Sequence, residues 1–134
     1  MILPNDTTVA VADGTKFRMF RNKGVEPRIE LVEMGEADID VRNQGSGGRH
    51  ESGAANPDSS RVEEDNFAAS VACFLNRQVL DGRIGGLFVI ADPRTLGELR
   101  RHFHKAVEAK LVGDLAKDLT GQPVSAIEAA LASA

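Results

Sequence analysis

The sequence predicts a single α/β domain, with one mixed sheet and flanking helices in the order β-β-β-loop-α-β-α-β-α. Three short apolar stretches separated by turn signals open the chain and predict an antiparallel meander. Beyond them, apolar residues at helical spacing alternate with apolar runs, which is typical of strand–helix–strand units. The length of 134 residues and a hydrophobic content of 42% suit one core, so we expect residues 1–134 to form one domain.

The first third predicts three strands. Residues 7–12 are β-branched and small apolar residues, and Asp13-Gly14 gives a two-residue turn signal before a second strand over residues 16–21. After a further turn marked by glycine and proline, residues 28–34 predict the third strand of the meander.

Residues 43–60 predict a long mobile loop within the domain. Two alanines are its only aliphatic residues, and it holds four glycines and four serines. Compact domains seldom carry so long a loop unless it is functional or disordered. Its glycines resemble those of phosphate-binding loops, but Arg49-His50 follow them where a Walker loop has Lys-Ser/Thr and a helix. The pattern favours a loop that exposes its backbone, with Arg49 and His50 at a charged tip, and leaves a plain linker as the alternative.

The remaining elements follow from capping signals and periodicity. Ser60 and Glu63 form a capping box that predicts a helix up to Gly82, with Glu64 and Asp65 in its first turn. The apolar run over residues 85–91 is typical of a central strand covered on both faces.

Asp92 and Pro93 begin a second predicted helix, as N-cap and first helical residue, and this helix is expected to end near residues 112–113. Alternation over residues 115–119 predicts a last short strand, with a helical continuation as the alternative. A capping box that starts at Ser125 predicts the C-terminal helix.

Charge limits the classes of partner. The net charge is −4, and Trp and Tyr are absent, so broad nucleic-acid binding is not expected and no DNA partner is predicted. A local basic patch is still a hypothesis for RNA binding. Arg94, Arg101 and Lys105 are seven and four residues apart and would share one helix face, which could contact phosphates. The alternative is that this face is simply solvated. The predicted RNA contacts are Arg42, Arg49, Arg94, Arg101 and Lys105.

No metal or cofactor is predicted. His102 and His104 are two residues apart, so one helix cannot present both to a single ion. The single cysteine fits a reducing compartment. A signal peptide and an apolar run of roughly 18 residues are both missing from the sequence, so we expect a cytoplasmic protein without a membrane partner.

Four segments in combination resemble the bacterial host attachment protein family, the proteins required for attachment to host cells. They are residues 7–20, which hold the predicted hairpin, the Gly45-Ser46-Gly47-Gly48-Arg49-His50 loop, residues 91–100 and residues 116–121.

That family is similar in turn to the central domain of archaeo-eukaryotic class-one release factors and Pelota-like ribosome-rescue proteins. There a hairpin with an Asp-Gly turn and a further strand precede a Gly-Gly-Gln loop, which enters the ribosomal peptidyl-transferase centre and helps water cleave peptidyl-tRNA. The resemblance implies that Gly47-Gly48 stand where the two glycines stand and that Arg49 takes the place of the glutamine.

The resemblance implies a function for the loop tip. Gly47, Gly48, Arg49 and His50 become the candidate catalytic residues, and the ribosome or tRNA becomes the expected partner. A second hypothesis from another class is a non-enzymatic protein whose loop docks a protein partner and supports attachment indirectly. Whether the chain is an enzyme stays open at this point.

Overall fold

The computed structural model describes residues 3–34 and 59–134, which form a five-stranded sheet with helices on both faces. The strand order is β3-β2-β1-β4-β5. β1 pairs antiparallel with β2 and β2 antiparallel with β3, whereas β1, β4 and β5 run parallel. The strands are β1 (Thr8–Ala12), β2 (Phe17–Asn22), β3 (Leu31–Glu33), β4 (Leu87–Ala91) and β5 (Leu111–Ala116). The helices are α1 (Ser59–Leu80), α2 (Pro93–His102), α3 (Lys105–Lys110) and α4 (Val124–Ala132).

The sheet lies between two apolar layers. Every residue of the central strands β1 and β4 is buried, which explains why both read as continuous apolar runs. One face packs against α1, α2 and α3 through residues such as Leu75, Leu99 and Val107. The other face packs against α4 through Ile127 and Leu131. The predicted α/β class, with an N-terminal antiparallel meander, is therefore confirmed.

Two predicted helix boundaries are confirmed by their chemistry. The Asp92 carboxylate accepts a hydrogen bond from the Thr95 N–H at 3.1 Å, and Pro93 occupies the first helical position of α2. The predicted end of α1 is confirmed as well. Gly82, two residues after the helix, has a φ of 78°, a left-handed conformation that glycine adopts without a Cβ penalty.

Both predicted capping boxes are wrong. α1 begins at Ser59, so Ser60 lies inside the helix, and the first turn contains no acidic residue. Glu64 and Asp65 therefore lie in the second turn of α1 and not, as predicted, in the first. α4 begins at Val124 after Pro123, which leaves Ser125 inside the helix and the N-terminus without a side-chain cap.

The second predicted helix is broken in two. α2 ends at His102, Phe103 is extended with ψ 134°, and α3 starts at Lys105. The cause is a tertiary contact with α1: the Asn76 side chain donates to the His102 carbonyl at 2.9 Å and accepts from the His104 N–H at 2.8 Å. These bonds replace the helical ones that a continuous helix would make.

The last strand lies earlier than predicted. β5 covers Leu111–Ala116 instead of residues 115–119, and its inward residues alternate with exposed ones. The helical alternative for this segment is wrong as well. The other strands differ from their predicted bounds by one to three residues at an end.

Candidate functional site

Four strands end at one edge of the sheet, which we call the carboxyl edge: the residues that follow β1, β3, β4 and β5. Asp13 follows β1, Asp92 follows β4, and residues 117–120 follow β5. β3 ends here too, since the Met34 N–H donates to the Met19 carbonyl at 2.8 Å near the start of β2. β3, the last described element before the segment 35–58, thus ends at this edge. That segment holds residues 43–58 of the predicted loop, whose last two residues, 59 and 60, belong to α1.

The first turns of α1, which follow that segment in the sequence, also lie at the carboxyl edge. A Cβ added to Gly14 would lie 2.6 Å from the Cγ of Glu64, so the second turn of α1 packs directly on the β1–β2 turn. Arg94 Nη2 lies 3.1 Å from both carboxylate oxygens of Asp65, which ties α1 to the start of α2. The described residues on both sides of the segment are therefore held at one edge of the sheet.

Asp13 organises the centre of this edge. Its carboxylate accepts from the Thr15 N–H at 2.7 Å and from the Lys16 N–H at 2.6 Å, which closes the β1–β2 turn. The Thr120 hydroxyl lies 2.7 Å from Asp13 Oδ2 and 2.9 Å from Asp118 Oδ1. Burial opposes ionisation of Asp13, but the hydrogen bonds from Thr15, Thr120 and Lys16 outweigh it and hold its pKa below the ordinary value.

Arg18 joins three segments at the same edge. Its Nε and Nη2 donate to the two carboxylate oxygens of Glu33 at 3.1 and 3.2 Å, a bidentate pair. Its Nη1 donates to the carbonyls of Thr120 and Gln122 at 3.1 and 2.7 Å. The hydrogen bonds from Arg18 hold the pKa of Glu33 below its ordinary value. Arg18 thereby fixes the last residues of β3, just before the segment 35–58.

The residues predicted at the loop tip belong to the segment 35–58. Gly47, Gly48, Arg49 and His50 lie outside the described residues, and so does Arg42. Their predicted roles stay predictions, and the structure contributes the position of the two chain ends that flank them.

The other predicted RNA contacts do not form one patch on one helix. Lys105 belongs to α3 and not to α2, so the prediction of a shared helix face is wrong. Arg94 pairs with Asp65, and Arg101 pairs with Glu98 at 3.0 Å. Both guanidinium groups are therefore already engaged with carboxylates.

Sequence reasoning missed Arg18 and Thr120, which carry most of the contacts at the carboxyl edge. Arg18 gives no local signal, because its partners lie 15 and more than 100 residues away. Within the described ranges 3–34 and 59–134, no three His, Cys, Asp or Glu residues stand close enough to hold a metal ion. The helices of the same ranges are too short or too polar to cross a membrane.

Comparison with known proteins gives a family for this arrangement. The model of bacterial archaeo-eukaryotic release factor family 12 matches residues 6–131, which includes every strand and the segment 35–58. The comparison with curated protein sequences returned no match. The predicted relationship to release factors is confirmed by the family match, whereas the host attachment name stays a prediction.

Proposed function

The chain belongs to bacterial archaeo-eukaryotic release factor family 12, and on that premise we propose that it acts on ribosome-bound peptidyl-tRNA through Gly47, Gly48 and Arg49. The observation that supports the proposal is the extent of the family match. It covers residues 6–131, which include the segment between β3 and α1 and the elements on both sides of it. The proposed partner is accordingly the ribosome or tRNA.

The anchoring of that segment supports the proposal. A loop that reaches into a ribosomal centre needs a rigid base, and the carboxyl edge supplies one on both sides. Glu33 is held by Arg18 before the segment, and Asp65 is held by Arg94 after it. Functional loops are commonly carried on such rigid scaffolds.

The proposed chemistry is hydrolysis of the ester between peptide and tRNA. Water attacks the carbonyl carbon, negative charge develops on the carbonyl oxygen, and a backbone N–H of the loop donates to that oxygen. The bond between the carbonyl carbon and the ribose oxygen then breaks, and that oxygen leaves with the proton that the water gives up. By its resemblance to the Gly-Gly-Gln loop of class-one release factors, Arg49 replaces the glutamine and keeps its backbone N–H. Its guanidinium adds a positive charge that suits the phosphates of tRNA. His50 is the neighbouring group able to accept a proton near neutral pH.

Two exposed apolar residues favour a second candidate function, in which the segment docks a protein partner without catalysis. Val32 in β3 is 49% exposed and Val62 in α1 is 55% exposed, and they flank the two ends of the segment. Replacing both with serine weakens partner binding under this candidate and leaves peptide release unchanged under the first one.

A peptide-release assay on stalled ribosomes tests the proposal. Wild type is expected to release the peptide. The Gly47→Ala/Gly48→Ala double variant keeps every backbone N–H, but its added Cβ atoms restrict the backbone that positions the donor. We therefore expect a loss on the order of 10²-fold in rate, comparable to the loss of one oxyanion donor. Arg49→Ala tests the side chain separately, since it keeps the backbone N–H. Gly53→Ala, in the same segment but away from the tip, is the matched control.

Co-sedimentation with ribosomes gives a second measurement that does not depend on catalysis. Wild type is expected to sediment with stalled ribosomes at moderate salt, and deletion of residues 45–50 is expected to reduce that fraction. Release by the double variant at the wild-type rate would remove the catalytic role. Absence of wild type from the ribosomal pellet would remove the ribosomal partner altogether.

A further inference from the structure

A concave region lies at the end of the sheet opposite the carboxyl edge, where the parallel strands β1, β4 and β5 begin. We call it the amino-edge cleft. It is an open cavity of about 640 Å³. Its polar and glycine lining includes Asp6, Arg21, Arg83, Gly85, Gly86 and Lys110. Five strand residues at about 3.3 Å each separate it from the carboxyl edge, a distance of roughly 16 Å.

The charges of the cleft contrast with those of the whole chain. The chain has a net charge of −4, whereas the cleft lining carries three cations and one carboxylate. That carboxylate, Asp6, already has a cationic partner outside the lining, Lys23, at 3.4 Å. In the part of the chain that the structure describes, Arg21, Arg83 and Lys110 have no carboxylate partner. The cleft is therefore a local positive region on an acidic protein.

Arg21 makes little use of its hydrogen-bonding capacity. Its Nη2 donates to the Arg83 carbonyl at 3.4 Å, near the limit for a hydrogen bond. Its Nε is buried, and no described residue accepts a hydrogen bond from it. A buried donor without an acceptor is costly, and it is uncommon in native proteins. Arg21 lines the cleft, so an anion there would accept hydrogen bonds from the Nη1 and Nη2 groups, whose one bond to a described residue is the long one to Arg83.

The glycines of the cleft are not required by packing. A Cβ added to Gly85 would meet nothing within 4 Å. A Cβ added to Gly86 would make ordinary contacts at 3.7 Å with the side chains of Thr7 and Val112. Both positions would accept a side chain sterically, so glycine here leaves the backbone uncovered along the wall. Uncovered backbone next to cations is typical of sites where phosphate oxygens approach the main chain.

We propose that the amino-edge cleft binds the phosphodiester backbone of RNA, with Arg21, Arg83 and Lys110 as the phosphate contacts. A single inorganic anion would leave most of the cavity empty, because cavities of about 300–1,000 Å³ hold whole small molecules. The three cations come from β2, from the α1–β4 connection and from the end of α3, so they face the opening from several sides. The choice of RNA over other polyanions rests on the proposed function, whereas the phosphate chemistry does not.

Fluorescence anisotropy with a labelled ten-nucleotide oligouridine tests the proposal. Arg83→Gln/Lys110→Gln changes two exposed residues and is expected to weaken binding on the order of tenfold at low salt. The plot of log K against log salt has a negative slope, and this slope is expected to become less steep by about 1.4. That change corresponds to about 0.7 for each lost phosphate contact with a single strand. Lys16→Gln/Lys117→Gln is the matched control, since it makes the same change in net charge at the carboxyl edge.

Arg21 is tested by two variants, because it is half-buried. Arg21→Lys keeps the charge and is expected to retain most of the affinity, whereas Arg21→Gln is expected to lose several-fold. Equal binding by the cleft double variant and its control would overturn the proposal. Displacement of the oligonucleotide by inorganic phosphate at low millimolar concentration, with phosphate bound at the same residues, would overturn RNA as the ligand and leave a small-anion site.

The same assay separates this inference from the proposed function. Gly47→Ala/Gly48→Ala is expected to bind the oligonucleotide like wild type, because it changes none of the described residues that line the cleft. If that variant and wild type bind RNA through the cleft while neither releases peptide, the catalytic proposal fails and the cleft proposal stands. If release is intact and the cleft variants bind RNA normally, the cleft proposal fails alone.

Discussion

Arg18 and Arg21 stand three residues apart in β2, and they differ in almost every contact. Arg18, at the carboxyl edge, donates to both oxygens of Glu33 and to two backbone carbonyls. Arg21, at the amino edge, has one long hydrogen bond and a buried Nε without an acceptor among the described residues. Arg18 therefore uses its hydrogen bonds to hold the fold together, whereas Arg21 has donors that a ligand could use.

The difference extends to the two edges. At the carboxyl edge and along α2, arginines pair with carboxylates: Arg94 with Asp65, Arg100 with Asp114 and Arg101 with Glu98. In the amino-edge cleft, the cations have no such partners among the described residues. Paired charges indicate structure, and unpaired charges that line one cavity indicate binding. The number of basic residues in a segment does not distinguish these two cases, whereas their partners do.

The largest expected effect comes from replacing the two arginines with methionine, which keeps an unbranched side chain. Arg18→Met is expected to lower the free energy of unfolding by about 2–3 kcal/mol, because Glu33 and two carbonyls lose their donor. Arg21→Met is expected to change it by less than about 0.5 kcal/mol, because few bonds are lost and an unsatisfied buried donor is removed. Urea denaturation at constant m-value measures both. Equal losses would break the comparison between the two edges.

A smaller effect is expected from Thr120, which is 6% exposed and links the tail after β5 to the β1–β2 turn. Thr120→Val keeps the shape and removes the hydroxyl, whose single proton lies between the carboxylates of Asp13 and Asp118. We expect a loss of about 1–2 kcal/mol because this one hydrogen bond is lost. Thr15→Ala is the control, since its hydroxyl is exposed and lies 3.3 Å from Asp13. A loss no greater than that of the control would mean that Thr120 does not hold this edge together.

Patterns within one segment predicted the fold better than they predicted the site. Burial on both faces makes residues 85–91 an apolar run, and Asp92-Pro93 is a local cap, so both were predictable. The break at Phe103 was not, because Asn76 on another helix causes it. Arg21 lies in a strand between Phe20 and Asn22, and this local pattern gives no sign of its partners. Only the tertiary fold shows that it meets Arg83 and Lys110 in one cleft.

The pH dependence of stability sharpens the comparison at the carboxyl edge. Folding lowers the pKa values of Asp13 and Glu33 from 3.8 and 4.5, so the unfolded chain binds more protons in acid. Their stabilising contribution is therefore complete above these values and is lost as the pH falls below them. Asp13→Asn and Glu33→Gln are each expected to make the acid side of the stability curve flatter, as followed by thermal unfolding between pH 3 and 6. A curve unchanged in both variants would contradict the role given to these carboxylates.

The smallest expected effect is the most informative about the amino-edge cleft. Arg83 and Lys110 also lie near the ends of α1 and α3, where a cation can stabilise a helix through its dipole by about 0.3–1 kcal/mol. If that is their role, Arg83→Gln/Lys110→Gln lowers the free energy of unfolding. If they are kept for a ligand, neutralising them relieves repulsion among three cations. Stability then stays within about 0.5 kcal/mol of wild type or rises slightly at low salt.

Denaturation at about 0.01 M and 1 M salt distinguishes a structural role of these cations from a role in ligand binding, because screening removes the repulsion at the higher concentration. A loss of stability at low salt, with RNA affinity unchanged, would assign these cations to the fold and make the two edges alike.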